Sequence, residues 1–294
     1  MDGIINVLKP IGMTSTDVVR WLTRKTKEKK AGHIGTLDPG AAGILPICLG
    51  KATRLAEYHT AQNKSYRAEI TLGISTDTQD AFGQEVSRVI PQVTKEAFTA
   101  TLEKFLGAIE QEPPMYSAVR KDGKHLYEYA RQGIEFTREK RQVTIHSLKL
   151  IEWYEDIFPR ALFDIDCSKG TYIRTLCLDI GNELGCGAHM SFLLRLDAGK
   201  FTLDNSYTLE EIARCLAAGD ERFLLAPEWG LPLPAVKLPA HRLAAFKNGL
   251  STDYSRQEIP LTTDKATVQV FCENRFIGIG TWENHVLTPS KVMV

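Results

Sequence analysis

The stretch Gly32-His33-Ile34-Gly35-Thr36-Leu37-Asp38-Pro39-Gly40-Ala41-Ala42-Gly43 constrains this chain more than any other. Glycine at that density cannot sustain the interior of a helix or a strand; it lets the backbone turn sharply and approach another group closely. The cationic run Arg24-Lys25-Thr26-Lys27-Glu28-Lys29-Lys30 precedes it and the apolar run Ile44-Leu45-Pro46-Ile47 follows, so an irregular loop is held between two ordered elements. One carboxylate, Asp38, stands in that loop before a proline. Taken alone, an Asp-Pro pair is an ordinary turn.

Periodicity places the neighbours. Ile4 to Leu8 reads as a short buried strand ending at Lys9-Pro10, and Thr14 caps a helix whose Val18, Val19 and Leu22 recur at helical spacing. Tyr66 to Leu72 alternates as a half-buried strand does. Thr94 starts a helix carrying Phe98, Leu102 and Phe105 that stops at Gly107. Residues 113–142 mix Tyr116, Tyr127 and Tyr129 with eight Lys, Arg and His, the composition of an exposed arm. Leu162 to Cys167 is a further strand, turned by Lys169-Gly170-Thr171 into a helix with Ile173, Leu176, Cys177 and Ile180 on its apolar side and Arg174 in its first turns. Thr208-Leu209-Glu210-Glu211 is a capping box opening one more helix. Pro227, Pro232 and Pro234 punctuate the chain, and beyond them Thr267–Phe271 and Phe276–Trp282 read as strands of a small β-rich module. The boundary is set at 234/235, giving units 1–234 and 235–294, the size expected of one large domain plus a small one in 294 residues.

Composition narrows the function. With 43% hydrophobic and 24% charged residues the chain is globular in type, and no apolar stretch approaches the ~20 residues of a membrane span. No charged-then-apolar leader is visible at the start, so a cytoplasmic location is expected. Cysteines 48, 167, 177, 186, 215 and 272 form no C-x-x-C pair, which predicts reduced thiols and no zinc. Net charge is zero, arguing against a wholesale polyanion binder, yet residues 1–60 hold nine Lys/Arg against five Asp/Glu whereas 201–294 hold nine against eleven. Cationic character is therefore concentrated near the N-terminus, as a face for an anionic partner or as a solvated helix end. Gly43 to Ala52 has the wrong spacing for a phosphate-binding loop, no histidine pair has H-E-x-x-H spacing, and no serine is flanked as G-x-S-x-G.

Several blocks fall in a telling order: Lys9-Pro10; Gly32 to Pro39; Lys64-Ser65-Tyr66-Arg67; Asp77-Thr78-Gln79-Asp80-Ala81-Phe82-Gly83; Pro114-Met115-Tyr116-Ser117-Ala118; Cys167-Ser168-Lys169-Gly170-Thr171-Tyr172-Ile173-Arg174; and Gly185-Cys186-Gly187-Ala188-His189. Together, from about Gly3 to Leu231, they resemble the tRNA pseudouridine synthase B (TruB) family of the bacterial type. The tail, through Leu238-Pro239 and Phe246-Lys247-Asn248-Gly249, is more loosely similar to the PUA RNA-binding module that closes family members. The loop departs from the family, which commonly has leucine where Gly40 stands, threonine where Ala42 stands, and threonine where Ile34 stands.

The resemblance implies an α+β fold: a central mixed, largely antiparallel sheet flanked by helices and loops, plus a small C-terminal β-rich PUA-like domain. It implies an isomerase that breaks the C1′–N1 bond of a tRNA uridine, at position 55 of the T-loop, turns the base and rejoins it through C5. No cofactor and no metal are expected, because the product has the atoms of the substrate. A monomer needing no protein partner and no membrane is expected, with the T-stem-loop of tRNA as its partner. Asp38 is the catalytic residue by this resemblance, acting on the ribose. Buried, it needs a compensating cation, and Arg174 suits that role. Tyr66 is expected to stack on the target base, His33 to occupy space beside the flipped nucleotide, and Leu193 to wall the pocket. Tyr172 and Lys9 complete the expected substrate-binding set, and Asp80 lies near the site without an assigned role.

Other classes share parts of this pattern. A catalytically silent tRNA-binding or tRNA-folding protein would have the arm and the tail but no need of Asp38 and Arg174 together. An enzyme of free nucleosides would not need the tail. A two-carboxylate glycosidase would need a second acid beside Asp38, for which Asp80 is the nearest candidate.

Overall fold

The computed structural model describes residues 1–294 except Ala118, Glu135 and residues 255–263. Ala118 of the Pro114–Ala118 block thus lies outside the described residues, as does part of the tail. In chain order the first elements are β1 (Gly3–Lys9), α1 (Ser15–Thr26), β2 (Ala31–His33), β3 (Ala42–Leu49), α2 (Ala56–Thr60) and β4 (Lys64–Leu72). A hairpin of β5 (Ile74–Thr76) and β6 (Glu85–Arg88) follows, then α3 (Lys95–Glu103) and β7 (Gly107–Gln111). The arm holds the small hairpin β8 (Arg120–Lys121) and β9 (Lys124–His125) and the short helix α4 (Leu126–Ala130). Next come β10 (Arg141–Tyr154), β11 (Arg160–Cys167), α5 (Ile173–Glu183), β12 (Ala188–Ala198), β13 (Phe201–Thr202), α6 (Leu209–Ala218) and β14 (Leu224–Leu225). The tail consists of β15 (Ala235–Lys237), α7 (Leu243–Lys247), β16 (Thr252–Asp253), β17 (Lys265–Cys272), β18 (Arg275–Glu283) and β19 (Val286–Val292).

One ten-stranded sheet runs β14-β1-β3-β12-β4-β11-β10-β7, with β2 paired to β3 and β13 to β12. All its pairings are antiparallel except β12 with β3, where Leu194 faces Ala42 and Arg195 faces Gly43. The sheet is therefore mixed and largely antiparallel, as expected. Its principal core joins Ile5, Leu45, Ile47, Ala68, Ile70, Phe163 and Ile165 of the strands to Val18 and Leu22 of α1, Phe98 and Leu102 of α3, and Leu176, Cys177 and Ile180 of α5. Burying whole aliphatic and aromatic side chains contributes about 1.5–3 kcal/mol each, so amphipathic helices of this length are held chiefly by that contact.

Local signals account for the helix ends. Thr14 forms a capping box with Asp17, Thr208 forms one with Glu211, and Gly219 closes α6 in the left-handed region at φ 68°. α3 is shorter than its periodicity predicts. It ends at Glu103, and Phe105 lies in a tight turn of i to i−3 bonds, Lys104 N–H to Thr101 O and Phe105 N–H to Leu102 O, before Gly107 at φ 86°.

A second sheet, β15-β17-β18-β19-β16, is built wholly from residues after 234 and has its own core of Val236, Phe246, Val268, Val270, Trp282 and Leu287. Leu55 and Leu231 of the larger part pack with Phe276, Ile279 and Met293 of the smaller. All six cysteines are free thiols. Among the described residues no helix is long and apolar enough to cross a membrane.

Candidate active site

A cleft of about 1040 Å³ opens between the Gly35–Ala41 loop, the start of α1, the loop joining β5 to β6, and the arm. His33, Asp38, Asp80, Phe82 and Arg174 line it from one side and Tyr116, Ser117, His125, Tyr127 and Arg131 from the other.

The glycine-dense loop is clipped from both sides. Ser15, the first residue of α1, donates its hydroxyl to Leu37 O (2.9 Å) and accepts Leu37 N–H (2.8 Å). Gly12 N–H reaches Pro39 O (2.8 Å), and Ala41 N–H closes a turn on Asp38 O (3.0 Å). From beneath, the fully buried Arg195 of β12 donates Nε to Ile44 O (2.6 Å), Nη1 to Thr36 O (3.4 Å) and Nη2 to Gly35 O (3.2 Å). Gly43 sits at φ 113°, where a Cβ would fall 2.2 Å from Arg195 O, so only glycine permits β3 to begin against β12. Asp38 is thereby fixed by its neighbours' backbone.

Arg174, in the first turn of α5, gathers three other segments. Its Nε lies 3.0 Å from Asp38 Oδ2 and its Nη1 3.7 Å from Asp80 Oδ2. Nη1 also donates to Thr78 O (3.1 Å) and Nη2 to Tyr116 O (2.8 Å). The guanidinium side chain is 6% exposed, whereas that of Asp38 is 36% exposed to the cleft. Burial nevertheless pushes the Asp38 carboxyl above its ordinary pKa, because the solvent it meets is confined between cleft walls; Arg174 opposes that rise, Asp80 adds to it, and Lys9 opposes it more weakly.

Asp80 shares the site. Its Oδ1 accepts Thr78 Oγ1 (2.7 Å) and Phe82 N–H (3.0 Å), and its Oδ2 faces Arg174 at 3.7 Å. His33 lines the cleft with a buried Nδ1 that has no hydrogen-bond partner among the described residues. Burial, with Arg195 nearby, pushes its pKa below the ordinary value and keeps the ring neutral at neutral pH.

The other expected substrate contacts lie deeper. Lys9 does not reach the cleft: it is fully buried and its Nζ donates to Pro10 O (2.9 Å) and Met13 O (2.6 Å), with burial pushing its pKa down to about 8. In this position it props the segment before α1. Leu193 is a core residue of the large sheet, 6% exposed. Tyr66 is 7% exposed and pairs with Arg195 across β4 and β12. Burial raises its hydroxyl pKa, Arg195 opposes the rise, and Asp38 is close enough to add to it. Tyr172 caps α5 half-buried, its N–H and C=O bonded to the Gln111 carboxamide at 3.0 and 3.2 Å. Of the expected set, the cleft wall brings together Asp38, Arg174, His33 and Asp80.

Two positioning residues escaped the sequence reading. Ser15 carries no signal in the sequence beyond its place after the capping Thr14. Arg195 had a usable signal: two residues after Leu193 in a strand, it falls on the same, inward face, and a charge on a core face needs a partner.

Residues 23–173 match the N-terminal domain of the TruB family pseudouridylate synthases, and residues 174–231 match the tRNA pseudouridylate synthase B C-terminal domain. The chain is 50% identical over 252 residues to the tRNA pseudouridine synthase B of Moorella thermoacetica, covering 85% of this chain and 83% of that one. It is 41% identical over 300 residues to that of Streptococcus pyogenes serotype M2, covering 100% of both. The fold matches a chain of the crystal structure of a Cbf5-Nop10-Gar1 complex with a TM-score of 0.75 at 26% identity, covering 99% of this chain and 85% of that one.

Proposed function

Because this chain belongs to the TruB family and is a tRNA pseudouridine synthase, an isomerase, we propose that its substrate is the T-loop uridine at position 55 and that Asp38 acts on the ribose. The observation that carries this reading is the ion pair of Asp38 and Arg174, 3.0 Å apart at the base of a cleft wide enough for an extruded nucleotide. In the reaction the C1′–N1 bond breaks, uracil turns, and C5 bonds to C1′. The C5 proton departs and N1 takes one up, so the atoms balance without a co-reactant. Whether the carboxylate bonds to C1′ or removes the C2′ proton, it must be ionised, and Arg174 favours that form in a desolvated place.

The remaining residues have graded parts in this proposal. His33, neutral, fills space beside the flipped uridine. Tyr66 and Leu193 form the floor behind Asp38, with Arg195 fixing both floor and loop. The arm presents His125 stacked on Tyr127 (ring centroids 5.2 Å apart) and Arg131 5.4 Å from the Tyr127 ring centre, an aromatic and cationic wall suited to unpaired bases. Residues 1–234 are the catalytic domain, and 235–294 are a PUA-like domain that contributes affinity for RNA. In this proposal a monomer is the working unit, and the tRNA substrate favours the cytoplasm as its place of work.

The test is Asp38→Asn, nearly isosteric but unable to attack the sugar or to carry charge opposite Arg174. Tritium release from C5-labelled tRNA transcripts should fall by at least about three orders of magnitude, roughly 4 kcal/mol, while filter retention of the same tRNA stays near wild type. Activity within tenfold of wild type would show that Asp38 is not the catalytic group.

A further inference from the structure

Phe82 is the one phenylalanine of twelve that stands exposed, at 72%, and it does so on the wall of the cleft. Its exposure does not come from a loose loop. Asp80 Oδ1 accepts Phe82 N–H at 3.0 Å, Ala81 N–H reaches Met190 O at 3.1 Å, and Asp77 and Gln84 close the loop through Asp77 N–H to Gln84 O (3.0 Å) and Gln84 N–H to Asp77 Oδ1 (2.7 Å). The carboxylate that holds the Phe82 backbone is the one that faces Arg174, so the ring is tied to the reactive centre.

The ring rests on Gly40, two residues after Asp38. A Cβ on Gly40 would lie 2.0 Å from the Phe82 ring edge, whereas Gly40 is absent from the residues with positive φ. Its backbone does not require glycine; the space does. A side chain at position 40, where leucine is common in the family, would expel the ring. Gly40 and Phe82 are thus one feature, a flat aromatic surface laid beside the catalytic loop with one side backed by protein and the rest open.

We propose that Phe82 is a stacking platform for an unpaired base of the substrate RNA, the base that flanks the uridine held at Asp38. This rests on the reading of the cleft as the seat of an RNA loop. RNA loops are bound with bases splayed out and stacked on aromatic faces, a contact tolerant of base identity because every base has a π-face. The platform adds affinity and register for the flanking nucleotide and takes no part in bond making.

The experiment compares full-length wild type with Phe82→Ala, Phe82→Leu and Phe82→Tyr. Each is assayed on a T-loop tRNA transcript and on the same RNA with an abasic residue beside the target uridine, reading Kd by filter retention and KM and kcat by tritium release. Phe82→Ala should weaken RNA binding roughly five- to hundredfold, the range for loss of one base–aromatic stack, and raise KM far more than it lowers kcat. Tyr should bind as wild type does, and Leu should resemble Ala. The abasic RNA should bind wild type more weakly by a similar factor, with no further loss on Phe82→Ala. Unchanged binding by Phe82→Ala, full recovery by Leu, or losses that simply multiply would each overturn the platform. Wild type that binds the RNA but forms no pseudouridine would instead overturn the reading of the site, while the Kd values would still report on stacking.

Discussion

In the proposed reaction Asp38 must be charged to act, and it sits where charge is disfavoured. Burial raises its pKa, Arg174 and Lys9 hold the rise in check, and Asp80 works with burial. Protonation removes the active form, so kcat/KM should fall as pH drops through a value above the ordinary aspartate range near 3.9. In Arg174→Gln the nearest opposing charge is gone, the pKa rises further, and the acid limb should move toward neutrality. Since Arg174 also ties down Thr78 and Tyr116, the plateau will drop too; the position of the limb, read from kcat/KM against pH, is the test. A limb at the ordinary aspartate value, or one that stays in place in the variant, would deny Asp38 this environment. At this scale the identity of the pair was legible from the order of blocks around Asp38 and Arg174. Depth was not: alternation marks Tyr66 and Leu193 as inward, but inward toward the core and inward toward a cleft look the same in a strand, and nothing local to Lys9 says that its ammonium turns under the chain to Pro10 and Met13.

The site depends on how α1 meets the loop. Ser15 satisfies both the N–H and the C=O of Leu37, and all three groups are out of reach of solvent. Ser15→Ala leaves that donor and acceptor unpaired at a cost of about 1–3 kcal/mol. It also frees the residue next to Asp38. We expect Tm to fall and kcat to fall with it, with KM for tRNA changing less because the arm and the tail are untouched. A variant that loses Tm yet keeps full kcat would show that the loop holds its shape through Gly12 and Arg195 alone. The helix itself was readable from Thr14, Val18 and Leu22, as was β4 from its alternation. What could not be read was the parallel contact of β12 with β3, because strands separated by about 150 residues in sequence meet through the pairing of Arg195 with Gly43, and a register of two residues leaves no period to detect.

Over the whole molecule, the tail is joined to the larger part by both apolar and polar contacts. Leu55 and Leu231 are covered by Phe276, Ile279 and Met293, while Lys51 Nζ donates to Met293 O (3.2 Å) and Arg54 Nη1 to Val292 O (2.6 Å). Lys291 returns the contact, to Arg54 O at 2.6 Å and to the Glu57 carboxylate. None of the described residues that line the cleft comes from beyond 234. On the proposed reading of the tail as an RNA-binding domain, deleting 235–294 should raise KM for tRNA more than it lowers kcat, because the Asp38–Arg174 pair stays in place. The deletion also uncovers Leu55 and Leu231, so the truncated chain should melt at a lower temperature, and kinetics must be measured below that melt. The separation was legible because Pro227, Pro232 and Pro234 interrupt the pattern just before β15, whereas the docking face was not, since Leu55 reads in sequence as one more core leucine. Tritium release at saturating and limiting tRNA distinguishes the outcomes. A folded truncation with wild-type KM and lost turnover would mean that the tail braces the catalytic part through Leu55 and Arg54 and does not bind RNA.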